Sequence, residues 1–234
     1  MTGLIESARA ILASSARQVD VVAHNVANIS TPGFKRGVGF ATLVSGNDMR
    51  GQSIRIDATY DFRQGKLVAT DNPLDMAISG PGFFQVRAGD AVLYSRQGQF
   101  RLDDEGRVVS PQGYVLQQAG GGDLVLASAD VAIADDGTVL SNDRPVARVA
   151  LFASEDSAAL TRVGESFYRA PETAMVSDDV SIVRQGMIEA SNTSLGDEMV
   201  TMTQAVRQAE TGARLIQVYD DLMGRAISTL GQAR

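Results

Sequence analysis

Hydrophobic positions recur along this chain in two rhythms. Near the N-terminus Ile5, Ala8, Leu12, Ser15, Val19, Val22, Val26 and Ile29 follow one another at alternating steps of three and four, the spacing of one face of a helix. Ser30, Thr31, Pro32 and Gly33 end it: Pro disfavours helical geometry in the residue before it, and Gly permits a reversal. The expected stop is near Ile29. At the other end Leu195, Met199, Met202, Val206, Ala209, Ala213, Ile216, Asp220, Met223, Ile227 and Leu230 step in the same way. Asp220 interrupts the row, so either the seam drifts onto Tyr219 or a partner side chain satisfies the carboxylate. A helix from Leu195 to Leu230 is ~54 Å long at 1.5 Å per residue, more than a small domain covers by itself. Something else must pack beside it.

Between the helices the period changes. Residues 31–75 are rich in Gly, Ser, Thr, Asp and Asn with short alternating pieces such as Ser53-Ile54-Arg55-Ile56-Asp57, which predicts extended structure with few helices. From about residue 76 strand signals dominate, in Phe83-Phe84-Gln85-Val86, Val92-Leu93-Tyr94, Gln99–Leu102, Tyr114-Val115-Leu116, Leu124-Val125-Leu126 and Ala147–Phe152. Two segments, Asp104–Ser110 and Asp135–Ser141, share the order Asp, acid, Gly, any, Val, aliphatic, Ser. Acid-Gly supplies the positive φ of a tight hairpin turn, so one hairpin type is expected twice. Gly120-Gly121-Gly122 reads as a flexible loop.

The expected fold is therefore α+β: long N- and C-terminal helices pairing as a coiled-coil-like bundle, with a central, mainly antiparallel β domain. The corresponding division is a discontinuous helical domain from 1–30 and 190–234, an extended bracing segment at 31–75, and a β domain at 76–189. The first helix carries only Glu6, Arg9, Arg17 and Asp20 as charges, and Ala8, Ala10, Ala13, Ala16, Ala23 and Ala27 spread around its cylinder. A helix in water normally shows a fuller polar face. Two readings fit: a closed two-helix hairpin, or lateral association that covers more than one side.

Composition narrows the functions. Of 234 residues 44% are hydrophobic and 21% charged, as in folded proteins. The net charge of -7 and the lack of a basic run speak against nucleic acid and anionic lipid as partners. No Cys and a single His remove disulfide frameworks, Cys/His zinc sites and thiol nucleophiles. No secretory signal is visible at the start, and no run of about 18 apolar residues offers a membrane span.

The remaining candidates for chemistry fail on geometry. His24 follows Asp20 by four residues on a helix, but no nucleophile elbow or oxyanion loop accompanies it. Asp103-Asp104-Glu105-Gly106 and Asp135-Asp136-Gly137 cluster carboxylates without the spacing of a calcium loop. Ser79-Gly80-Pro81-Gly82-Phe83-Phe84 lacks the third glycine of a dinucleotide loop. Paired acids for glycoside cleavage lack aromatic walls, with no Trp and 5 Tyr. No catalytic, cofactor or metal residue is expected, and no enzyme activity.

Several segments together resemble one family. Ala23-His24-Asn25-Val26-Ala27-Asn28-Ile29-Ser30-Thr31-Pro32-Gly33-Phe34-Lys35-Arg36 is similar to the N-terminal signature of the bacterial flagellar rod and hook proteins, His24 standing where the first Asn is usual. Asn72–Val86 and Tyr94–Phe100 resemble that family's entry into its β domain, and Gln185–Asn192 followed by Glu198-Met199-Val200 its C-terminal signature. The matches run in order from end to end. The resemblance implies an axial component of the flagellum whose terminal helices form a packed inner tube with the β domain outward. It also implies copies of the chain, other flagellar rod proteins and the flagellar type III export apparatus as partners. The implied location is the basal body, spanning the periplasm and reached without a cleaved signal.

The length of the chain and Asp61-Phe62-Arg63-Gln64-Gly65 look most like a proximal-rod subunit, with a distal-rod or hook-type protein as the alternative. The residues expected to carry assembly are Ile5, Leu12, Val19, Val22, Val26, Asn25, Asn28, Gly33 and Phe34 in the first part of the chain. In the last part they are Leu195, Met199, Met202, Val206, Ile216, Met223, Ile227 and Leu230. A reading of a different class, a secreted β-domain binding module or hydrolase on a monomeric helical stalk, predicts helices covered without any neighbour.

Overall fold

A computed structural model describes residues 2–44, 53–154 and 156–231. Helix α1 (Thr2–Ala27) and helix α2 (Leu195–Gly231) bracket a succession of strands, the α+β arrangement read from the two rhythms. The chain divides into two compact units. The first comprises Met1–Ala27, Gly37–Thr59 and Ser194–Arg234; the second comprises Asn28–Arg36 and Tyr60–Thr193.

In the first unit the helices pair antiparallel: Asn25, late in α1, reaches Glu198 early in α2, and Ala8, Ile11 and Leu12 lie against Gly212. The buried line of α1 is Ala8, Ser15 and Val22, seven residues apart, flanked by half-buried Ile5, Leu12, Val19 and Val26. That is the seam the periodicity predicts. On α2 the buried line is Glu198, Ala205 and Gly212, again seven apart, with half-buried Thr201, Ala209, Ile216 and Tyr219 beside it. A Cβ on Gly212 would lie 3.1 Å from Leu12 Cγ and 3.3 Å from the Ala8 carbonyl oxygen, so the glycine sets how closely the axes approach.

The apolar row read from the sequence of α2 is not this buried line. Leu195, Met199, Met202 and Val206 are exposed and sit about 70° around the cylinder from the buried line, at 100° per residue. Shape outweighs hydrophobicity here, because small residues let two helices close while bulky ones hold them apart. At the interruption Tyr219 is half-buried and Asp220 exposed, so the seam drifts. Strands β1 (Gly37–Val44) and β2 (Ser53–Tyr60) pair with each other in a two-stranded sheet that falls largely in this unit. No helix occurs among the described residues of 31–75.

The second unit holds β3 (Leu67–Ala69), β4 (Met76–Ser79), β5 (Phe83–Ala88), β6 (Ala91–Ser95), β7 (Arg101–Leu102), β8 (Val108–Val109) and β9 (Val115–Leu116). They are followed by β10 (Ala132–Ile133), β11 (Thr138–Ser141), β12 (Arg144–Arg148), β13 (Leu151–Ser154), β14 (Thr161–Arg162), β15 (Phe167–Arg169), β16 (Met175–Ser177), β17 (Ile182–Gln185) and β18 (Met187–Glu189). The main sheet runs β14-β15-β6-β5-β9-β8-β7, with β13 on β5 and β16 on β13. Its neighbouring strands pair antiparallel throughout.

Successive residues of a strand point to opposite faces, and both faces of β5 are covered. Phe84 enters a large core with Leu93, Phe100, Leu116 and Val149, while Phe83 joins Tyr94, Leu160, Tyr168 and Met175. Two buried layers explain the doubled phenylalanine.

Four turns of this unit share one hydrogen-bond pattern. Gly106 N–H donates to the Asp103 carbonyl while Asp103 N–H donates to that of Arg107, and Gly137, Ala134 and Thr138 repeat this. Gly113 with Ser110 and Tyr114, and Gly121 with Gln118 and Gly122, do so again. The fourth residue has φ of 76°, 82°, 84° and 97° respectively, the left-handed conformation that glycine adopts without a Cβ penalty. The first two are the hairpin pair read from the acid-Gly repeat. The glycine run at 120–122, expected as a flexible loop, is instead a defined turn, because it must reverse the chain between Gln117 and Asp123, which bridge each other.

Candidate assembly site

Within the second unit, residues far apart in sequence meet around one buried carboxylate. Glu189, at the end of β18, is fully buried. Its Oε1 accepts from Lys35 Nζ at 2.6 Å and from the Gly65 N–H at 2.7 Å, and its Oε2 from Arg96 at 3.2 Å. Lys35 Nζ also donates to the Arg63 carbonyl at 2.8 Å, and Arg96 to that of Gly80 at 2.6 Å. Burial pushes the Lys35 ammonium below its ordinary pKa against the opposing pull of Glu189, and it lowers Arg96 in the same way. The Asp178 carboxylate adds its field at Arg96, so two cations stand among two anions.

Backbone bonds close the same junction. Gly33 N–H donates to the Glu189 carbonyl and Ala190 N–H to that of Lys66. Asn192 Oδ1 accepts the Arg36 N–H at 2.8 Å while its Nδ2 donates to the carbonyls of Asp61 and Arg63. Gly33 sits at φ 69°, and a Cβ there would lie 2.3 Å from the Arg96–Gln97 peptide, so no larger residue fits. Arg162 stacks over Phe34 at 4.6 Å and Tyr60 at 4.1 Å and donates to the Lys35 carbonyl. Lys35 and Arg96 each bind both Glu189 and a backbone carbonyl, an arrangement that fastens chain segments together. Lys35, Arg96, Glu189 and Asn192 carry no periodic signal, and pattern reading passes over them. Their one trace in the sequence is that each falls inside a segment that carries the family resemblance.

In the first unit Asn25 makes a second junction. Its Oδ1 accepts the Gly37 N–H and its Nδ2 donates to the Gly37 carbonyl, both at 2.8 Å, mimicking a strand partner, and Nδ2 also reaches Glu198 at 3.3 Å. Among the residues expected to carry assembly, Val22 and Asn25, and Asn28, Gly33 and Phe34 of the second unit, are buried in the chain by itself. Ile5, Leu12, Val19, Val26 and Ile216 are half-buried. Leu195, Met202, Val206 and Met223 are exposed, and Met199 is the most so at 61%. The side chains of Ile227 and Leu230 lie outside what is described. The expected set thus contains two kinds of residue: those that shape the subunit, and those on α2 that present apolar surface.

His24 and Asp20 are exposed on α1. No group of three or more His, Asp or Glu among the described residues is placed to hold a metal ion, and no described helix is long and apolar enough to cross a membrane. A cavity of about 220 Å³ beside β13 has Arg148 and Asp179 at its lining, 3.3 Å apart and paired with each other.

Residues 7–35 match the family described as flagella basal body rod protein, residues 77–141 the flagellar hook protein FlgE/F/G D1 domain, and residues 184–229 the flagellar basal body rod FlgEFG protein C-terminal region. The chain is 31% identical over 223 residues to the flagellar basal-body rod protein FlgF of Mesorhizobium japonicum, covering 92% of each chain. It is 29% identical to FlgF of Caulobacter vibrioides, with 92% and 93% covered. It is also 29% identical to the flagellar basal-body rod protein FlgG of Borreliella burgdorferi, with 89% and 91% covered. The three matched stretches contain Lys35, Arg96 and Glu189, the ion cluster described above.

Proposed function

Since the chain belongs to the flagellar basal-body rod protein family and is a structural subunit of the rod, we propose that it polymerises into the axial shaft that carries motor torque toward the hook and filament. Its partners are copies of itself and other rod proteins. It reaches the periplasm-spanning part of the basal body through the flagellar export apparatus, without a cleaved signal. Within the family it is a proximal-rod subunit, the distal rod being the alternative. The reading as a secreted binding module or hydrolase is not favoured, because the relatives named across nine-tenths of the chain are rod proteins.

The observation that carries polymerisation is the outward apolar surface of α2. Met199, Val200, Met202 and Val206 lie on two turns of one helix at 40–61% exposure, where a monomer would place charges. Helices packed side by side in a closed tube interdigitate and resist shear, which a torque-bearing shaft requires.

The test is complementation of a strain lacking the gene. The chain carrying Ile216→Asp, a charge in the half-buried seam between α1 and α2, should fail to build rods and leave cells non-motile, while circular dichroism of the purified variant keeps the β signal. Normal swimming by that strain would contradict the reading.

A further inference from the structure

The chain passes between its two units four times, after Ala27, Arg36, Thr59 and Thr193. Any force that travels along the backbone from one unit to the other runs through these crossings. Three of them are tied to one another inside the second unit. Asp61 N–H donates to the Arg36 carbonyl at 2.9 Å, so the segment that ends at Arg36 and the one that begins at Tyr60 are bonded directly. The segment that ends at Thr193 joins them through one side chain.

That side chain is Asn192. Its Oδ1 accepts the Arg36 N–H at 2.8 Å, and its Nδ2 donates to the Asp61 carbonyl at 2.7 Å and to the Arg63 carbonyl at 3.0 Å. Its own N–H donates to the Phe34 carbonyl at 3.4 Å. A primary amide carries an acceptor and two donors on one flat group, and here both functions are spent on main-chain partners. Asp keeps the acceptor, offers no donor, and would set a carboxylate against two carbonyl oxygens.

The place of these bonds separates them from the rest of the junction. Arg36 is the last residue of its segment in the second unit, Asp61 the second of its own, and Asn192 the last but one. The fully buried Glu189 binds Lys35 and Gly65 of the same segments, farther from the crossings. Glu189 thus holds the interior, while the Asn192 amide acts where the segments leave the unit. Segments that are free to slide bend singly, whereas those joined by a satisfied polar network move as one body.

Resting on the reading as a torque-bearing rod subunit, we propose that Asn192 is a load-sharing residue, whose amide makes three of the four crossings resist force together. It acts through the backbone of Arg36, Asp61 and Arg63, so its role is one of positioning.

The test separates load from folding. Asn192→Asp and Asn192→Ala are each introduced into a strain lacking the gene, in cells whose motors are held idle and in cells whose motors turn in a viscous medium. Rods are counted by electron microscopy of isolated basal bodies. Idle cells should hold as many complete rods with either variant as with the unsubstituted chain, because the Glu189 cluster is untouched. In turning cells severed rods should be at least about tenfold more frequent than with the unsubstituted chain, since each lost hydrogen bond shifts an opening equilibrium roughly fivefold and either variant loses both Nδ2 bonds. A role in folding alone would lower the count equally in idle and turning cells.

Should the Asp variant build no rods, the Ala variant decides. Rods missing from idle cells with both variants, or severed no more often than normal in turning cells, would overturn the load-sharing role and leave the rod reading standing. Complete rods and normal swimming in the strain that lacks the gene would overturn both.

Discussion

The two units bury different things. The second fills its interior with Phe84, Leu93, Phe100, Leu116, Val149 and other large side chains, and covers both faces of β5. The first buries Ala8, Ser15, Val22, Ala205 and Gly212 along its helix seam and leaves Met199, Val200, Met202, Val206 and Leu222 outside. Hydrophobic stabilisation scales with apolar area removed from water, at about 25 cal/mol per Å². A seam of alanine, serine and glycine removes little, while each ordered residue costs about 1–2 kcal/mol of backbone entropy. The second unit therefore buries its large apolar groups within a single chain, and the first leaves several of those on α2 exposed.

The sharpest way to break that contrast is to spoil the interior of the complete unit. Glu189→Ala leaves Lys35 and Arg96 buried without their counter-ion, and removing one partner of such a cluster costs about 3–5 kcal/mol. Urea unfolding of the second unit should show this loss. A change within error would mean the cluster is wetter than its burial indicates.

A smaller effect belongs to the first unit. Asn25→Ala strips both peptide bonds of Gly37 of their side-chain partner and removes a donor to Glu198. Its expected cost is about 1–3 kcal/mol, seen as faster amide exchange of Gly37 in assembled material with the second unit unaltered.

The mildest probe is acid. The Arg63 side chain holds Asp61 below the usual carboxylate range, Arg87 does so for Asp123, and the Thr138 N–H for Asp136. A carboxyl depressed in the folded state stabilises at pH above its unfolded value and loses that contribution as pH falls through the folded one. The urea midpoint of the second unit should hold from neutral pH down to about 4 and decline below it. Arg63→Ala should flatten part of that decline, most of it remaining because Asp61 is a surface pair.

How much of this was legible beforehand follows from what each feature depends on. The seam of α1 was readable because its apolar row is also its buried row, at Ala8, Ser15 and Val22. On α2 the most apolar row and the buried row differ, since Gly212 and Ala205 make the approach while Met199 and Val206 do not, and periodicity follows hydrophobicity alone. The acid-Gly turns at Gly106 and Gly137 announced themselves through composition. The same turn at Ser110-Pro111-Gln112-Gly113 lacks the acid, and at Gly121 it hides in a glycine run. The Glu189 cluster depends on contacts between residues 35, 96 and 189, and no local window contains them. Only the resemblance carried by those segments marked them out.

The claim that matters most is that α1 and α2 become solid through neighbours, and hydrogen exchange of the free chain against assembled rods tests it directly. Amides of α1 and α2 should exchange quickly in the free chain and be protected in the rod, while those of β5, β6 and β9 should be protected in both. Equal protection of the helices and the sheet in the free chain would contradict it.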